Sequence, residues 1–424
     1  MRDSRVLVIG AGLAGLAAAV EIAGAGLPVL VVDQAQAPGG AVHRQPLPGV
    51  RSIASGMQRR RWTRLMAQIN AQAERIEIRC NTRFGGMDYT GDALLTGDGR
   101  ALMQPRALVL ATGARERVQP RPGWTLPCVT TAGAIQAELK TTAHPPYGRV
   151  LLAGSGPLLL AVAAELVRLG RAPVAVIEAG HPFSHPLSAL RLPASYLIEA
   201  AGYLLRVKAA GVPVLTGAHV LAITPSADGL VVRVNTPRGD RSFGADRIGL
   251  HDGIAPNDAG LPVDGPVPVL RLGDCREALG ARAALADGRA GGGRLAAQLL
   301  GRAAPDPSAD LDLQRQAQRR LGAIYAHDGL TRLSDLPSDT VLCRCENRTL
   351  ADLRALGSNP GARGLRLDGR FGMGPCQGRF CAEWVGRLST PAGLPLPHIG
   401  SNRWPSRPIP ISDLVDPSAE GLEP

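Results

Sequence analysis

Four cysteines in the C-terminal quarter of the chain have the residue type and spacing for metal chemistry. One residue separates Cys343 from Cys345, 30 residues follow, and four residues then separate Cys376 from Cys381. Four thiolates in two close pairs suit a zinc ion or an iron–sulfur cluster. Zinc ribbons prefer a two-residue gap within each pair, and the gaps here are one and four. Structural zinc and free buried thiols remain the alternatives to an iron–sulfur cluster.

A glycine motif near the N-terminus has the spacing of a dinucleotide-binding turn. Gly10, Gly12 and Gly15 follow the predicted strand Arg5–Ile9 and precede an Ala-rich helix. In this setting the first glycine permits a tight turn, the second lets the backbone approach a pyrophosphate, and the third lets the helix pack against the strand. Asp33, at the end of the next predicted strand, can accept hydrogen bonds from a ribose. The alternative is a glycine-rich turn that binds nothing.

A near repeat of this unit starts about 144 residues later. Gly154 and Gly156 are in place, but Leu159 occupies the third position, where a bulky side chain should disturb close packing of helix and strand. Glu178 ends the next predicted strand and is placed to bind an adenosine ribose. No Arg follows it directly, which disfavours NADP. Two alternatives stay open: NAD or another adenine nucleotide binds at Gly154, Gly156 and Glu178, or the domain keeps the fold without nicotinamide.

Three further segments resemble those of flavoproteins with two dinucleotide-binding domains. They are Pro38-Gly39-Gly40, Ala111-Thr112-Gly113 and Gly273-Asp274. In that family the Ala-Thr-Gly turn lies close to FAD and the Gly-Asp carboxylate holds the ribityl chain. The next helix, predicted from Arg282 to Ala290, points its N-terminus at the flavin pyrimidine ring. A helix N-terminal cap is the alternative role for Asp274. The residues predicted to contact FAD are Gly10, Gly12, Leu13, Ala14, Gly15, Asp33, Gln34, Gly40, Ala111, Thr112, Gly113, Gly273 and Asp274.

The segment Gly372–Arg379 resembles the [2Fe–2S] domain of bacterioferritin-associated ferredoxins. The resemblance implies a [2Fe–2S] cluster whose negative charge nearby arginines would offset. The implied ligands are Cys343, Cys345, Cys376 and Cys381. The arginines are Arg344, Arg370 and Arg379.

The combination of both parts, over nearly the whole chain, resembles the FAD-containing α-type subunits of amine dehydrogenases. This group includes opine oxidase, D-hydroxyproline dehydrogenase, the proline dehydrogenase complexes and hydrogen cyanide synthase. The segments Arg115–Arg117, Pro122–Pro127 and His251–Asn257 carry the resemblance, whereas Leu159 and Cys128 depart from it. We would expect Gly in place of Cys128. The group implies a separate β subunit similar to D-amino-acid oxidases, which oxidises a secondary amine or amino acid at its own flavin, and also a small γ subunit.

Composition limits the other classes of function. The chain has 424 residues and a formal net charge of +11, yet only 3% of its residues are aromatic. A nucleic-acid surface usually clusters basic and aromatic residues, and here Arg is scattered, so we expect no nucleic-acid partner. No uninterrupted apolar run reaches the ~20 residues of a membrane span. Seven cysteines in so long a chain do not make a disulfide scaffold, and a cytoplasmic protein is expected.

The remaining titratable residues give weaker signals. Cys80, Cys128 and Cys275 are far apart in sequence, and none forms the close redox pair of a disulfide reductase. His43 and Arg44 follow the Gly39-Gly40 loop, which leaves two alternatives: they approach the flavin, or, as we predict, they are loop residues that face solvent or a partner. No catalytic nucleophile or base is assigned in this chain.

The two βαβ units predict an α/β fold with two Rossmann-like dinucleotide-binding domains and a small, mostly helical C-terminal iron–sulfur domain. The predicted domains are 1–120 with 242–302 for FAD, 121–241 for an NAD(P)-type domain, 303–335 as a linker, 336–392 for the cluster, and 393–424 as a Pro-rich tail. The expected function is an FAD- and [2Fe–2S]-containing electron-transfer subunit of a hetero-oligomeric amine dehydrogenase. The alternatives are a self-contained NAD(P)H-dependent FAD oxidoreductase and a non-catalytic scaffold.

Overall fold

A computed structural model describes residues 3–97, 101–327, 333, 335–390, 394–397, 404–406 and 408–413. Most of the predicted Pro-rich tail, 393–424, therefore lies outside the described residues. The strands are β1 Val6–Ile9, β2 Val29–Val32, β3 Ile76–Arg79, β4 Thr82–Met87, β5 Ala93–Gly97, β6 Ala101–Met103, β7 Ala107–Leu110, β8 Ala114–Glu116, β9 Val129–Thr131, β10 Val150–Gly154, β11 Ala175–Glu178, β12 Val214–Thr216, β13 His219–Ser226, β14 Gly229–Thr236, β15 Gly239–Ala245, β16 Arg247–His251, β17 Ile254–Pro256, β18 Val269–Arg271, β19 Val341–Cys343 and β20 Arg348–Thr349.

Helices cover the sheets and build most of the C-terminal module. They are α1 Leu13–Gly24, α2 Gly56–Asn70, α3 Ala132–Thr142, α4 Pro157–Arg168, α5 Pro186–Leu190, α6 Ala194–Ala209, α7 Ala281–Leu299, α8 Ala309–Ile324, α9 Leu350–Ala355, α10 Gly361–Leu367 and α11 Ala382–Ser389.

Two parallel sheets organise the first three quarters of the chain. One has the order β18-β7-β1-β2-β3 and the other β12-β11-β10-β16-β9. The central strands β1, β2, β7, β10 and β11 are buried on both faces, as expected for short Val-, Leu- and Ile-rich runs in parallel sheets, whereas edge strands such as β3 and β12 are only partly buried. In each sheet the order reverses beside the strand that carries a glycine motif, β1 or β10. Ligands of such folds bind at this reversal, outside the carboxyl ends of the strands. The predicted pair of Rossmann-like sheets is confirmed.

Small residues bring α1 and α7 into close contact against the first sheet. A Cβ atom on Gly288 would overlap the carbonyl oxygen of Ala14, and one on Gly292 would lie 2.7 Å from the Cα atom of Ala18. Glycine inside a helix costs about 1 kcal/mol relative to alanine, so the glycines of α7 are explained by this backbone approach. The helix predicted from Arg282 to Ala290 extends in the structure to Leu299. The glycines after Ala290 do not end it, and Gly292 among them faces α1.

The predicted linker, 303–335, contains a packed helix, α8. Ser308 caps it by accepting a hydrogen bond from the Leu311 amide at 3.2 Å, and Ala317 and Ile324 are buried. The linker was predicted from the Ala-, Pro- and Asp-rich stretch 303–308, and α8, which follows that stretch, packs through a narrow apolar stripe. The cysteine-bearing module follows, with β19, β20 and α9–α11 around a core that includes Cys343 and Cys381.

Candidate functional site

The first glycine turn joins β1 to α1 with no room for side chains. Gly10 has φ +107°, and a Cβ atom there would overlap the carbonyl oxygen of Ala111 on the neighbouring strand. A Cβ atom on Gly15 would overlap the carbonyl oxygen of Gly10. The motif spacing thus follows from backbone contacts within the β1–α1 turn and with β7.

A cradle of bare backbone lies between this turn and the following loop. A Cβ atom on Gly40, whose φ is +60°, would lie 3.0 Å from the Cα atom of Gly12. The Gly39 amide donates to the carbonyl oxygen of Ala11 at 2.8 Å and holds the loop against the turn. Helix α1 begins at Leu13, so its first N–H groups have no acceptor within the helix. The cradle fits a pyrophosphate, because N–H groups and a positive helix end meet where no Cβ intrudes.

Asp33 ends β2 at the same edge of the sheet. Its carboxylate accepts hydrogen bonds from the amides of Ala11 at 2.7 Å and Ala35 at 2.8 Å. Asp33 is half-buried, whereas Gln34 is exposed. The carboxylate therefore fixes the glycine turn and also lies beside the cradle, where the ribose of a dinucleotide would be bound.

The Ala-Thr-Gly turn follows β7, next to β1. The Thr112 hydroxyl donates to the carbonyl oxygen of Asn257 at 2.7 Å and approaches the Cys275 sulfur at 3.1 Å. The Asn257 amide in turn donates to the carbonyl oxygen of Gly113 at 3.0 Å. The turn is thereby tied to the strand-and-turn segment that leads into the Gly-Asp motif.

The Gly-Asp motif follows β18 and positions the start of α7. Asp274 Oδ1 accepts the amides of Leu279 at 2.9 Å and Gly280 at 2.7 Å, and Gly280 is the N-cap of α7. Burial raises the pKa of Asp274. Sequence reasoning missed Asp287, which is 3% exposed, accepts the Gly273 amide at 2.6 Å and pairs with Arg276 at 2.5 Å. The available sequence signal was a single acidic residue in the Ala- and Gly-rich stretch 281–300.

The second glycine motif differs from the first in its packing. Leu159 is fully buried in the core between α3, α4 and the second sheet. Glu178 is 4% exposed and accepts the amides of Gly156 at 3.0 Å and Gly180 at 2.8 Å. Burial raises the pKa of Glu178. Leu159 is therefore a core residue of the second domain, and the Glu178 carboxylate accepts hydrogen bonds from the backbone.

The four C-terminal cysteines lie as two contacting pairs. The Cys381 thiol hydrogen-bonds to Cys343, and this bond lowers the pKa of Cys343 to about 6 and raises the pKa of Cys381. Cys345 and Cys376 hydrogen-bond to each other, and backbone amides donate to both Cys343 and Cys345. Within the described residues, no three or more His, Cys, Asp or Glu side chains are arranged to hold a single metal ion.

Two of the arginines near the cysteines, Arg370 and Arg379, are held by specific partners. Arg370 pairs with Glu346 at 2.8 Å. Arg379 donates to the carbonyl oxygen of Cys376 at 3.0 Å and to that of Ala259 at 2.8 Å. Ala259 lies two residues after Asn257, which the Ala-Thr-Gly turn contacts. A short hydrogen-bonded path thus joins Cys376 to the predicted flavin turn.

His43 does not face solvent, contrary to the sequence prediction. It is 4% exposed and stacks on Trp62, with ring centroids 5.4 Å apart. Its Nε2 atom has no hydrogen-bond partner among the described residues. Lys140, also buried, donates to the carbonyl oxygens of Ala41 and Val42, both at 3.1 Å. The prediction was wrong because α2 and α3 cover this loop, a contact that no local pattern reveals.

The fold and the first glycine site define a class of protein. Residues 4–274 match the family described as pyridine nucleotide-disulphide oxidoreductase. The chain belongs to this family and is a flavin-dependent oxidoreductase. Membership of the family implies that the cofactor is FAD.

Similarity to curated proteins extends over nearly the whole chain. The chain is 33% identical to hydrogen cyanide synthase subunit HcnB of Pseudomonas aeruginosa, over 96% of this chain and 97% of that protein. It is 34% identical to an opine oxidase subunit from Agrobacterium tumefaciens, over 90% of this chain and 84% of that protein. The chain is a member of the group that contains these two subunits, which confirms the resemblance inferred from the motifs.

Solved structures share the fold. L-Proline dehydrogenase from P. horikoshii superposes with a TM-score of 0.62 at 16% identity, covering 97% of this chain and 79% of that one. Thioredoxin reductase from T. acidophilum gives a TM-score of 0.50 at 18% identity, covering 71% and 99%. In the part of the chain that the structure describes, no helix has the length and apolar character needed to cross a bilayer.

Proposed function

We propose that this chain is the FAD- and [2Fe–2S]-containing electron-transfer subunit of a hetero-oligomeric amine or amino-acid dehydrogenase. The amine, of the opine, D-hydroxyproline, proline or sarcosine type, is oxidised in a partner β subunit similar to D-amino-acid oxidases, and a small γ subunit can complete the complex. The protein acts in the cytoplasm. Two relatives with high coverage are named as subunits, which supports a role inside a complex.

FAD occupies the first glycine site in this proposal. The pyrophosphate lies in the cradle of Gly12 and Gly40, at the start of α1, and the adenosine ribose lies beside Asp33. The flavin end reaches the Thr112 turn and the Gly273-Asp274 motif. Support comes from the bare backbone of the cradle and from the first N–H groups of α1, which lack acceptors within the helix.

The cluster is held by Cys343, Cys345, Cys376 and Cys381, in the proposed domain 336–392. The pairing of the thiols suits two irons, with one contacting pair supplying the ligands of each. The backbone amides that donate to Cys343 and Cys345 would stabilise the negative charge of these thiolates by hydrogen bonding. FAD, when bound, supplies two-electron chemistry and the cluster one-electron chemistry.

One observation carries the electron-transfer role. Arg379 bridges the carbonyl oxygens of Cys376 and Ala259, at 3.0 and 2.8 Å, and the Ala259 segment is tied to the Thr112 turn through Asn257. Arg115, three residues beyond Thr112 and in the strand that follows, lies within electrostatic range of Cys376. The proposed flavin and cluster sites are therefore adjacent in the fold, as electron transfer between them requires.

Co-expression of this chain with a D-amino-acid-oxidase-like β subunit tests the proposal. We expect a complex with amine dehydrogenase activity, and we expect neither chain to have that activity alone. The Cys376→Ser variant should assemble with the partner and keep its FAD but lose the cluster signal and most of the activity. Cys128→Ser, at an exposed cysteine outside the module, is the matched control and should be fully active. Full amine dehydrogenase activity from this chain alone would overturn the proposal.

A further inference from the structure

The second glycine turn has few N–H groups left for a phosphate. The Ser155 amide donates to the carbonyl oxygen of His251 at 2.6 Å, and the Gly156 amide donates to Glu178. Pro157, the first residue of α4, has no N–H, and the Leu159 amide bonds back to Gly156 at 3.2 Å. A pyrophosphate site needs several free donors at this point. In the first site, the first helical residue is Leu13, which has the N–H group that Pro157 lacks.

The carboxylate expected to bind a ribose is also buried. Both oxygens of Glu178 accept backbone amides, as both oxygens of Asp33 do in the first site, but Glu178 is 4% exposed whereas Asp33 is half-buried. A ribose hydroxyl would have to compete with these bonds in a space that water hardly reaches.

The end of α8 lies directly over this turn and carboxylate. The Ser155 hydroxyl donates to the carbonyl oxygen of Tyr325 at 3.1 Å, and a Cβ atom on Gly180 would lie 3.1 Å from the same oxygen. The Tyr325 phenol lies within electrostatic range of Glu178. Tyr325 thus extends from the turn that would hold a pyrophosphate to the carboxylate that would hold a ribose. The carbonyls at a helix C-terminus carry partial negative charge, which repels a phosphate.

Several contacts fix α8 in this position. The Tyr196 hydroxyl on α6 donates to Gln314 at 2.8 Å and accepts from Gln318 at 3.3 Å. Ile324 is 4% exposed and Ala317 is fully buried in a cluster shared with α5 and α6. Helix α8 is therefore packed firmly against α5 and α6, with its C-terminal end over the second glycine turn.

We infer that the second dinucleotide fold binds the C-terminal end of α8, with Tyr325 in the place of a nucleotide, and so accepts neither NAD(H) nor NADP(H). This inference goes beyond the proposed function, which holds with or without a nucleotide in that domain. Tyr325 is a positioning residue: it anchors the segment that leads into the cysteine module on the second Rossmann domain. The pyridine nucleotide implied by the family name therefore does not fit this chain.

Nucleotide binding to the purified holoprotein is the first test. Equilibrium dialysis against NADH, NADPH and ADP up to about 1 mM should show no saturable binding, and NADH should not bleach the flavin. Binding of one nucleotide per chain, or rapid bleaching, would overturn the inference.

Hydrogen exchange tests whether the end of α8 is the cause. Ile324→Asp, which places a charge in the buried cluster that holds α8, should raise amide exchange in the peptide covering residues 155–160 by about tenfold or more, because the Tyr325 backbone carbonyl then no longer covers the turn. The equivalent peptide of the first site, residues 11–16, is the internal control and should not change. Unchanged exchange at 155–160 would show that α8 does not cover the site. Equilibrium dialysis and hydrogen exchange read neither iron nor FAD content, so these two measurements are independent of the proposed function.

Discussion

Arg117 on the segment after β8 binds both carboxylate oxygens of Glu383 at the start of α11, 266 residues further along the chain. The Arg117 guanidinium also lies over the ring of Trp384, 5.3 Å from its centroid. A bidentate pair combined with a cation–π contact fixes orientation as well as distance. This contact docks the cysteine module on the flavoprotein part near the proposed cofactor sites.

Replacing Arg117 with Lys should loosen the module, since an ammonium group cannot make the bidentate contact. We expect a loss of about 1–2 kcal/mol in the local stability of α11, measured as faster amide exchange in a peptide covering residues 382–389. Arg387→Ala is the matched control, because Arg387 pairs with the same Glu383 at 3.1 Å but within one helix. The control should cost only about 0.3–0.5 kcal/mol. Equal effects of the two variants would show that Arg117 does not dock the module.

Filling the backbone cradle should remove FAD without unfolding the chain. Gly12 has φ −82°, which any residue adopts, and a Cβ atom there would lie 3.9 Å from the Cα atom of Gly40. Gly12→Val should therefore fold, with a circular dichroism spectrum like that of the wild type, but should hold less than about a tenth as much FAD. The absorbance ratio of flavin to protein measures this. A variant with a full complement of FAD would contradict the assigned place of the pyrophosphate.

His43 should make the protein sensitive to acid. Burial, with Arg61 and Lys140 nearby, lowers the pKa of His43 to about 4, whereas the unfolded chain has the usual value of 6.5. Between these values the unfolded state binds more protons, so stability is fully present above pH 6.5 and falls as the pH drops towards 4. The loss attributable to this residue is up to about 3 kcal/mol.

The variant His43→Phe keeps a ring against Trp62 but takes up no proton. Urea unfolding at a series of pH values should show a flatter profile for this variant than for the wild type between pH 6.5 and 4. His144→Phe, at an exposed histidine, is the control and should follow the wild type. Parallel profiles for wild type and His43→Phe would show that His43 is not responsible.

Cys128 should be a strained position. It is exposed and has φ +68°, in the left-handed region that favours glycine. Cys128→Gly should raise the free energy of unfolding by about 0.5–1 kcal/mol, after the greater freedom of glycine in the unfolded chain is deducted. Cys128→Ala removes the thiol but keeps the strain, so it should match the wild type in urea unfolding. If Cys128→Gly were no more stable than Cys128→Ala, the backbone at this position would not be strained.

Short-range patterns predicted the parts of the fold that local geometry determines. The glycine spacing of Gly10 and Gly15 follows from contacts within one turn and with the adjacent strand, whereas the expectation of glycine in place of Cys128 came from the family resemblance. Residues defined by long-range packing were not predictable. His43 and Tyr325 owe their roles to helices that approach from distant parts of the sequence. Helix α8 was likewise not predicted: the Ala-, Pro- and Asp-rich stretch before it indicated a linker, and a helix needs only a narrow apolar stripe to pack.

Metal analysis of the protein, purified without oxygen, tests the central claim most directly. We predict about two irons and one FAD per chain, with a rhombic electron paramagnetic resonance signal on reduction that is absent from Cys376→Ser and present in Cys128→Ser. Zinc without iron in a carefully handled sample would contradict the account.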